Sequence, residues 1–167
     1  PVWKKIDEFK SKGKKILLLG AGGAARAIIA GMAKEKVEEV IIANRTPNNA
    51  MKLSEFAAKI ELKTNTKNLE EVNQEIEKFD MIINSTSIGL KNETSPILFD
   101  RANQETIVYD IVYSPMNTDL IKKAKEKKLQ VIYGYEMLLG QATRAFEIWH
   151  GMEAPYNAMK KALLGGF

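Results

Sequence analysis

The sequence predicts a doubly wound α/β fold, with a parallel six-stranded sheet in the order 3-2-1-4-5-6 and helices on both faces. Three observations carry this expectation. Short apolar runs alternate with helical patterns along the chain, and right-handed crossovers leave few other topologies for such a series. The first apolar run, Ile16-Leu17-Leu18-Leu19, feeds a glycine turn, Gly20-Ala21-Gly22-Gly23, and then an alanine-rich helix start. The expected strand ends carry unusual residues: Gly20–Gly23, Asn44-Arg45-Thr46, Asn84–Gly89, Asp110–Tyr113 and Gly134. Ligands of doubly wound sheets lie at those carboxyl ends.

Taken in order, Val2–Lys12 reads as a short amphipathic helix with Val2, Ile6 and Phe9 on one side, ended by Gly13. A strand follows at Lys15–Leu19, then a helix over Gly22–Lys34 with Ala25, Ile28, Ile29 and Met32 inward at helical spacing. Val37–Ala43 is the second strand. Thr46 is positioned as an N-cap with Pro47 at the first helical position, which predicts a helix over Pro47–Lys59. Ile60–Leu62 is the candidate third strand, and Asn68–Lys78 a peripheral helix. Phe79–Asn84 is a buried strand, Ser85–Pro96 a polar loop and Thr106–Val112 another strand. Thr118–Lys128 forms a helix and Leu129–Tyr133 a last strand, with a break at Gly134. A long amphipathic helix then carries Leu138, Ala142, Ala145, Phe146 and Trp149 to His150, and Pro155–Leu164 forms a final short helix.

The composition narrows the function classes. The chain has 167 residues, a single domain's worth, with 45% apolar and 28% charged residues, an ordinary globular balance. No apolar run approaches the ~20 residues of a membrane span. The N-terminal stretch alternates charged and apolar residues and does not resemble a signal peptide. With no cysteine, disulfides, thiolate catalysis and Cys-zinc sites are excluded, and a cytoplasmic location is expected. The net charge of +4 is concentrated in Lys122–Lys128. No aromatic or Arg side chain is interleaved there, so it reads as a solvated helix face and nucleic acid is not expected as a partner. The chain begins at Pro1 shortly before its first strand, which suggests a piece of a longer protein.

A buried strand entering a tight glycine turn and a helix is the shape that seats a pyrophosphate on free backbone N–H groups. The alternative is a glycine-rich turn without a ligand. The end of the second strand bears on the choice. A carboxylate there accepts from the ribose 2′-OH of NAD and repels the 2′-phosphate of NADP. Here the position holds Asn44, followed by Arg45 and Thr46, and an amide, a guanidinium and a hydroxyl suit a phosphate dianion. NADP is therefore expected over NAD. The other reading is a turn made by Asn44, a cap made by Thr46 and a solvated Arg45, and both can hold together. Arg26 either approaches the cofactor or pairs with an acidic surface residue.

Five motifs then occur in one order: Gly20–Arg26, Asn44-Arg45-Thr46, Ile83–Gly89, Asp110–Pro115 and Gly134–Gln141. Together they resemble the C-terminal, NADP-binding, Rossmann-like half of the shikimate dehydrogenase family, over essentially the whole chain. The resemblance implies reversible NADP-linked reduction of 3-dehydroshikimate to shikimate, a step in making aromatic amino acids. It implies that Gly20, Ala21, Gly22, Gly23 and Ala24 hold the pyrophosphate, and that Asn44, Arg45, Thr46 and Asn49 hold the adenosine end. Ile111 and Gly134 would lie by the nicotinamide, with Thr86 in the Asn84–Gly89 loop lining that side. Tyr113 and Gln141 would reach the substrate; an amide can donate to one oxygen of a polyol and accept from another.

Two positions depart from the family pattern. Asn49 stands where the family often has a second basic residue, which predicts weaker NADP affinity or relaxed choice between NADP and NAD. Glu136 stands where many relatives have glycine, and nothing in the sequence explains it. The family's catalytic lysine and aspartate belong to motifs that precede this segment. Asn117-Thr118-Asp119 imitates the aspartate motif in the wrong place, and His150 reads as a helix C-terminal residue and not as a base. The expectation is a cofactor-binding domain over residues 1–167, with residues 135–167 as its helical end, lacking its own catalytic residues and an N-terminal substrate domain. Alone it would bind NADP without turnover; an oligomer is left open. The alternatives are a quinate/shikimate dehydrogenase using NAD or NADP, and a non-catalytic dinucleotide-sensing module. The Tyr135–Gln141 segment argues against a glutamyl-tRNA reductase nucleotide domain.

Overall fold

The computed structural model describes residues 12–165. The helix expected over Val2–Lys12 falls almost wholly outside them. The strands are β1 (Lys15–Leu19), β2 (Glu39–Ala43), β3 (Thr64–Lys67), β4 (Met81–Asn84), β5 (Ile107–Asp110) and β6 (Gln130–Ile132). They form one sheet in the order β3-β2-β1-β4-β5-β6, and every pairing is parallel. The helices are α1 (Gly23–Lys34), α2 (Pro47–Ala58), α3 (Leu69–Gln74), α4 (Asp119–Glu126), α5 (Gly134–His150) and α6 (Tyr156–Leu164).

Strand alternation divides the core into two layers. On one face Ile16, Leu18, Val40, Ile42, Met81 and Ile83 pack with the inward residues of α1 and α2. On the other, Leu17, Leu19, Ile41, Ala43, Ile82 and Val108 pack with Val72, Ile76, Leu120 and Ala124 from the α3 and α4 side. Both faces of the central strands are thus dry, which explains why they read as unbroken apolar runs. Each fully buried Ile or Leu contributes roughly 1.5–3 kcal/mol relative to exposure. The predicted inward residues of α1, namely Ala25, Ile28, Ile29 and Met32, are all buried.

Four expectations need correction. The third strand is not Ile60–Leu62, which forms a turn and its exit, with Glu61 at φ 58°. The strand is the polar Thr64–Lys67, two of whose four residues are exposed at the sheet edge. An edge strand buries too little to carry an apolar signature. Val37 does not belong to β2 but makes an isolated antiparallel bridge to Lys12. The Asn68–Lys78 segment is α3 followed by a short 3-10 turn, Ile76–Lys78. In α5 the expected stripe is not the buried one: Leu139 and Thr143 are buried beside Gly134, whereas Trp149 is 79% exposed.

Candidate dinucleotide site

The site is built at the carboxyl edge of β1, β2, β4 and β5. Gly20 ends β1 with φ +103° and lies so close to β4 that an added Cβ would sit 2.8 Å from Ser85 Oγ and 3.2 Å from the Ser85 carbonyl carbon. The left-handed backbone and the close approach both require glycine. Gly20 N–H donates to the Ala43 carbonyl at 2.8 Å, and Ser85 Oγ donates to the Leu19 carbonyl at 2.6 Å, so the turn is pinned to both neighbouring strands.

Gly22 and Gly23 are different. A Cβ on either would meet no heavy atom within 4 Å. Packing does not explain their small size; an open cradle at the head of a twelve-residue helix does. No side chain caps that helix, and its first turn holds no acidic residue. The leading N–H groups point into this cradle, an arrangement that accepts phosphate oxygens. The residues present therefore fit a pyrophosphate.

Beyond the turn, a cleft of about 360 Å³ is lined by Leu19, Asn44, Arg45, Asn84, Thr86 and Glu93, among others. Asn44 Nδ2 donates to the Thr46 carbonyl at 2.8 Å, so the predicted turn is present. Thr46 occupies the N-cap position of α2 without a side-chain cap bond, which leaves its exposed hydroxyl available. Arg45 is exposed and makes no ion pair among the described residues. A second groove, of about 340 Å³, runs between α1 and α2 and is lined by Gly22, Gly23, Arg26, Asn49 and Lys52. Among the described residues Arg26 pairs with no carboxylate; its guanidinium lies 4.0 Å from the Phe56 ring centroid.

The floor between β4 and β5 is a buried polar network. Asn84 Nδ2 donates to Asp110 Oδ1 at 2.9 Å and to the Ile88 carbonyl at 3.0 Å. Thr118 Oγ1 donates to Asp110 Oδ2 at 2.6 Å, and Val112 N–H to Asp110 Oδ1 at 3.0 Å. Asn84 Oδ1 accepts from both the Thr86 hydroxyl, at 2.6 Å, and its N–H, at 3.1 Å. Burial pushes the Asp110 carboxyl up, and the bonds from Thr118, Val112 and Asn84 oppose it. In the sequence Asp110 ends one apolar run as Asn84 ends another, and the pairing of β4 with β5 is what brings the two together.

Gly134 opens α5 against the end of β5: a Cβ there would lie 2.5 Å from both the Ile111 and Val112 carbonyl oxygens. Ile111 and Gly134 are thus brought together, while Thr86 sits after the neighbouring strand β4, bonded to Asn84 and beside Gly20. Tyr113 is 43% exposed just beyond Val112, and Gln141 is exposed two turns along α5. The Asn117-Thr118-Asp119 triplet is structural: Thr118 caps α4, and Asp119 accepts from Ser95 N–H and pairs with Lys123. His150 ends α5 with its ring 4.4 Å from that of Phe146. Among the described residues no group of three acidic or histidine side chains could hold a metal ion, and no helix is long and apolar enough to cross a membrane.

Fold and site together define a dinucleotide-binding α/β domain of the doubly wound class. The chain matches the family model for shikimate / quinate 5-dehydrogenase over residues 3–130 and that for the shikimate 5′-dehydrogenase C-terminal domain over residues 134–164. It belongs to the shikimate/quinate 5-dehydrogenase family. It is 64% identical over 163 residues to shikimate dehydrogenase (NADP(+)) of Nitrosopumilus maritimus, covering 98% of this chain and 60% of that protein. Its fold superposes on shikimate 5-dehydrogenase of Listeria monocytogenes, a complex with shikimate and NAD, with a TM-score of 0.87 and 34% identity. That match covers 97% of this chain and 59% of the other. The Thermus thermophilus enzyme, a complex with NADP(H) and shikimate, gives a TM-score of 0.80 at 29% identity, over 100% and 61% of the two chains. The chain therefore spans about 60% of the length of these relatives.

Proposed function

We propose that this chain is the NADP-binding part of a shikimate dehydrogenase, which reduces 3-dehydroshikimate to shikimate with NADPH, and that the rest of such a protein carries the substrate domain. The open cradle at Gly22 and Gly23, set beside Asn44-Arg45-Thr46 at the end of β2, carries the reading. Gly20 to Ala24 seat the pyrophosphate, and Asn44, Arg45, Thr46 and Asn49 surround the adenosine ribose, whose 2′-phosphate meets a guanidinium and no carboxylate at that strand end. The adenine occupies the cleft beyond Arg45. Thr86, Ile111 and Gly134 face the nicotinamide, held in register by the Asn84–Asp110 network. Tyr113 and Gln141 approach the substrate from the open side. Relatives named as NADP-dependent shikimate dehydrogenases, one of them 64% identical, support the same cofactor and substrate.

Bound NADPH supplies the hydride. The chain's own residues bind and orient the cofactor, and none of the described residues is placed to give a proton to the new hydroxyl. Hydride transfer needs the substrate at near-attack distance together with a group that moves the proton. The chain alone is therefore expected to bind NADP, with shikimate-dependent NADPH formation absent until the rest of the protein is restored. Titration with NADP+ followed by an absorbance assay with shikimate tests both halves. Failure to bind NADP+, or turnover by the isolated chain, refutes the corresponding half.

A further inference from the structure

The α1–α2 groove contains a cation besides Arg26. Lys52 lines it together with Gly22, Gly23, Arg26 and Asn49, and no acidic residue lines it. The Lys52 ammonium has no ion-pair partner among the described residues. Lys59 at the far end of α2 likewise has no carboxylate partner among the described residues, so what sets Lys52 apart is its place in the groove beside Gly22, Gly23 and Asn49. An unpaired lysine in a groove free of acids raises the local positive potential at the α2 N-terminus, where the helix end already favours an anion.

Helix geometry directs that charge toward the site. Asn49 and Lys52 are three residues apart and share a face of α2, and Phe56, four residues further on, shares it too. Phe56 is the ring on which Arg26 rests, so this face of α2 is the one turned to α1. Side chains on a helix lean toward its N-terminus and cover the turn before their own Cα. A lysine at position 52 therefore reaches back over Asn49, toward the end of β2.

Resting on the cofactor reading above, we infer that Lys52 is a specificity-determining residue that supplies the second cation to the 2′-phosphate of NADP. Arg45 approaches that phosphate from the cleft side and Lys52 from the groove side, with Thr46 and the open α2 N-terminus between them. A dianion held by two cations and a helix end no longer needs a basic side chain at position 49. Arg26 stays on Phe56 and adds field without contact. Choice of NADP over NAD is then preserved by a residue one helical turn beyond the expected place.

The test measures dissociation constants of NADP+ and NAD+ for the parent chain, Lys52→Ala, Lys52→Ala combined with Asn49→Arg, and Lys59→Ala at the far end of α2. Lys52→Ala is expected to weaken NADP+ about tenfold, the low end for a hydrogen bond to a charged group, and to change NAD+ less than twofold. Asn49→Arg restores the preference, and Lys59→Ala leaves it intact. Equal weakening of both nucleotides, or no change in either, overturns the assignment of Lys52 while the NADP reading stands. A parent chain that binds neither nucleotide overturns both.

Discussion

Gly22→Ala separates a glycine kept for a ligand from one kept for packing. Gly22 is the N-cap of α1 at φ −89° and ψ −165°, a conformation alanine adopts freely, and its added methyl meets no atom within 4 Å. The structural cost is the poorer capping of alanine, under about 1 kcal/mol. For a domain of this size that lowers the melting midpoint by no more than roughly 2–4 °C. The methyl projects into the cradle, where it holds a diphosphate oxygen away from the leading N–H groups of α1. Each hydrogen bond to a charged oxygen contributes about 1.5–3 kcal/mol. Losing one weakens NADP+ by roughly 10- to 100-fold. Calorimetric titration reads the affinity and circular dichroism the melting midpoint. A dissociation constant within twofold of the parent, in a variant with the expected midpoint, refutes the idea that the cradle faces the cofactor.

Two further outcomes test the frame around the site. Gly134→Ala forces a methyl into the 2.5 Å approach to the Ile111 and Val112 carbonyls; it should destabilise the fold by about 1–3 kcal/mol, read as a lower thermal midpoint, and an unchanged midpoint would show that α5 moves aside freely. For Asp119, burial raises the carboxyl but the bonds from Lys123 and Ser95 N–H outweigh it, leaving the group below its ordinary value. Its stabilisation is present above the unfolded carboxylate range and is lost as pH falls through the lowered folded value. Parent and Asp119→Asn should therefore differ in stability at pH 6 by no more than about 1 kcal/mol, and the gap should begin to close as pH falls below about 4; a gap that does not narrow between pH 6 and pH 2.5 would contradict this.

How legible each part was depended on what burial does to sequence. The central strands announce themselves because both faces are dry, as at Ile16–Leu19 and Met81–Ile83. The β3 edge strand is Thr-Asn-Thr-Lys and exposes half of its residues, so nothing apolar marked it, and the nearby Ile60–Leu62 drew the assignment. For α5 the spacing of apolar residues was correct for a helix, but it could not say which stripe faces the sheet. Gly134 decides that, by letting the helix begin against the end of β5. The five glycine and strand-end motifs identified the family, while glycines of different purpose looked alike in sequence. Gly20 is packed and left-handed, whereas Gly22 is open. The Asp110 network depends on two strand ends meeting in space, and only the β4–β5 register shows that Asn84 and Asp110 are neighbours.

That register also governs how the cleft can move. Asp110 is gripped from three separate stretches of chain, by Asn84, Val112 and Thr118, and Asn84 in turn holds both Thr86 and the Ile88 carbonyl. The turns after β4 and β5 and the head of α4 are thereby fastened to a single buried carboxylate, so they travel together or not at all. The rim of the cleft lacks such a fastening: Arg45 and Thr46 stand exposed there, Arg45 without an ion pair among the described residues. The β4–β5 end of the cleft is built as an anvil, and the rim at Arg45 and Thr46 as the adjustable jaw.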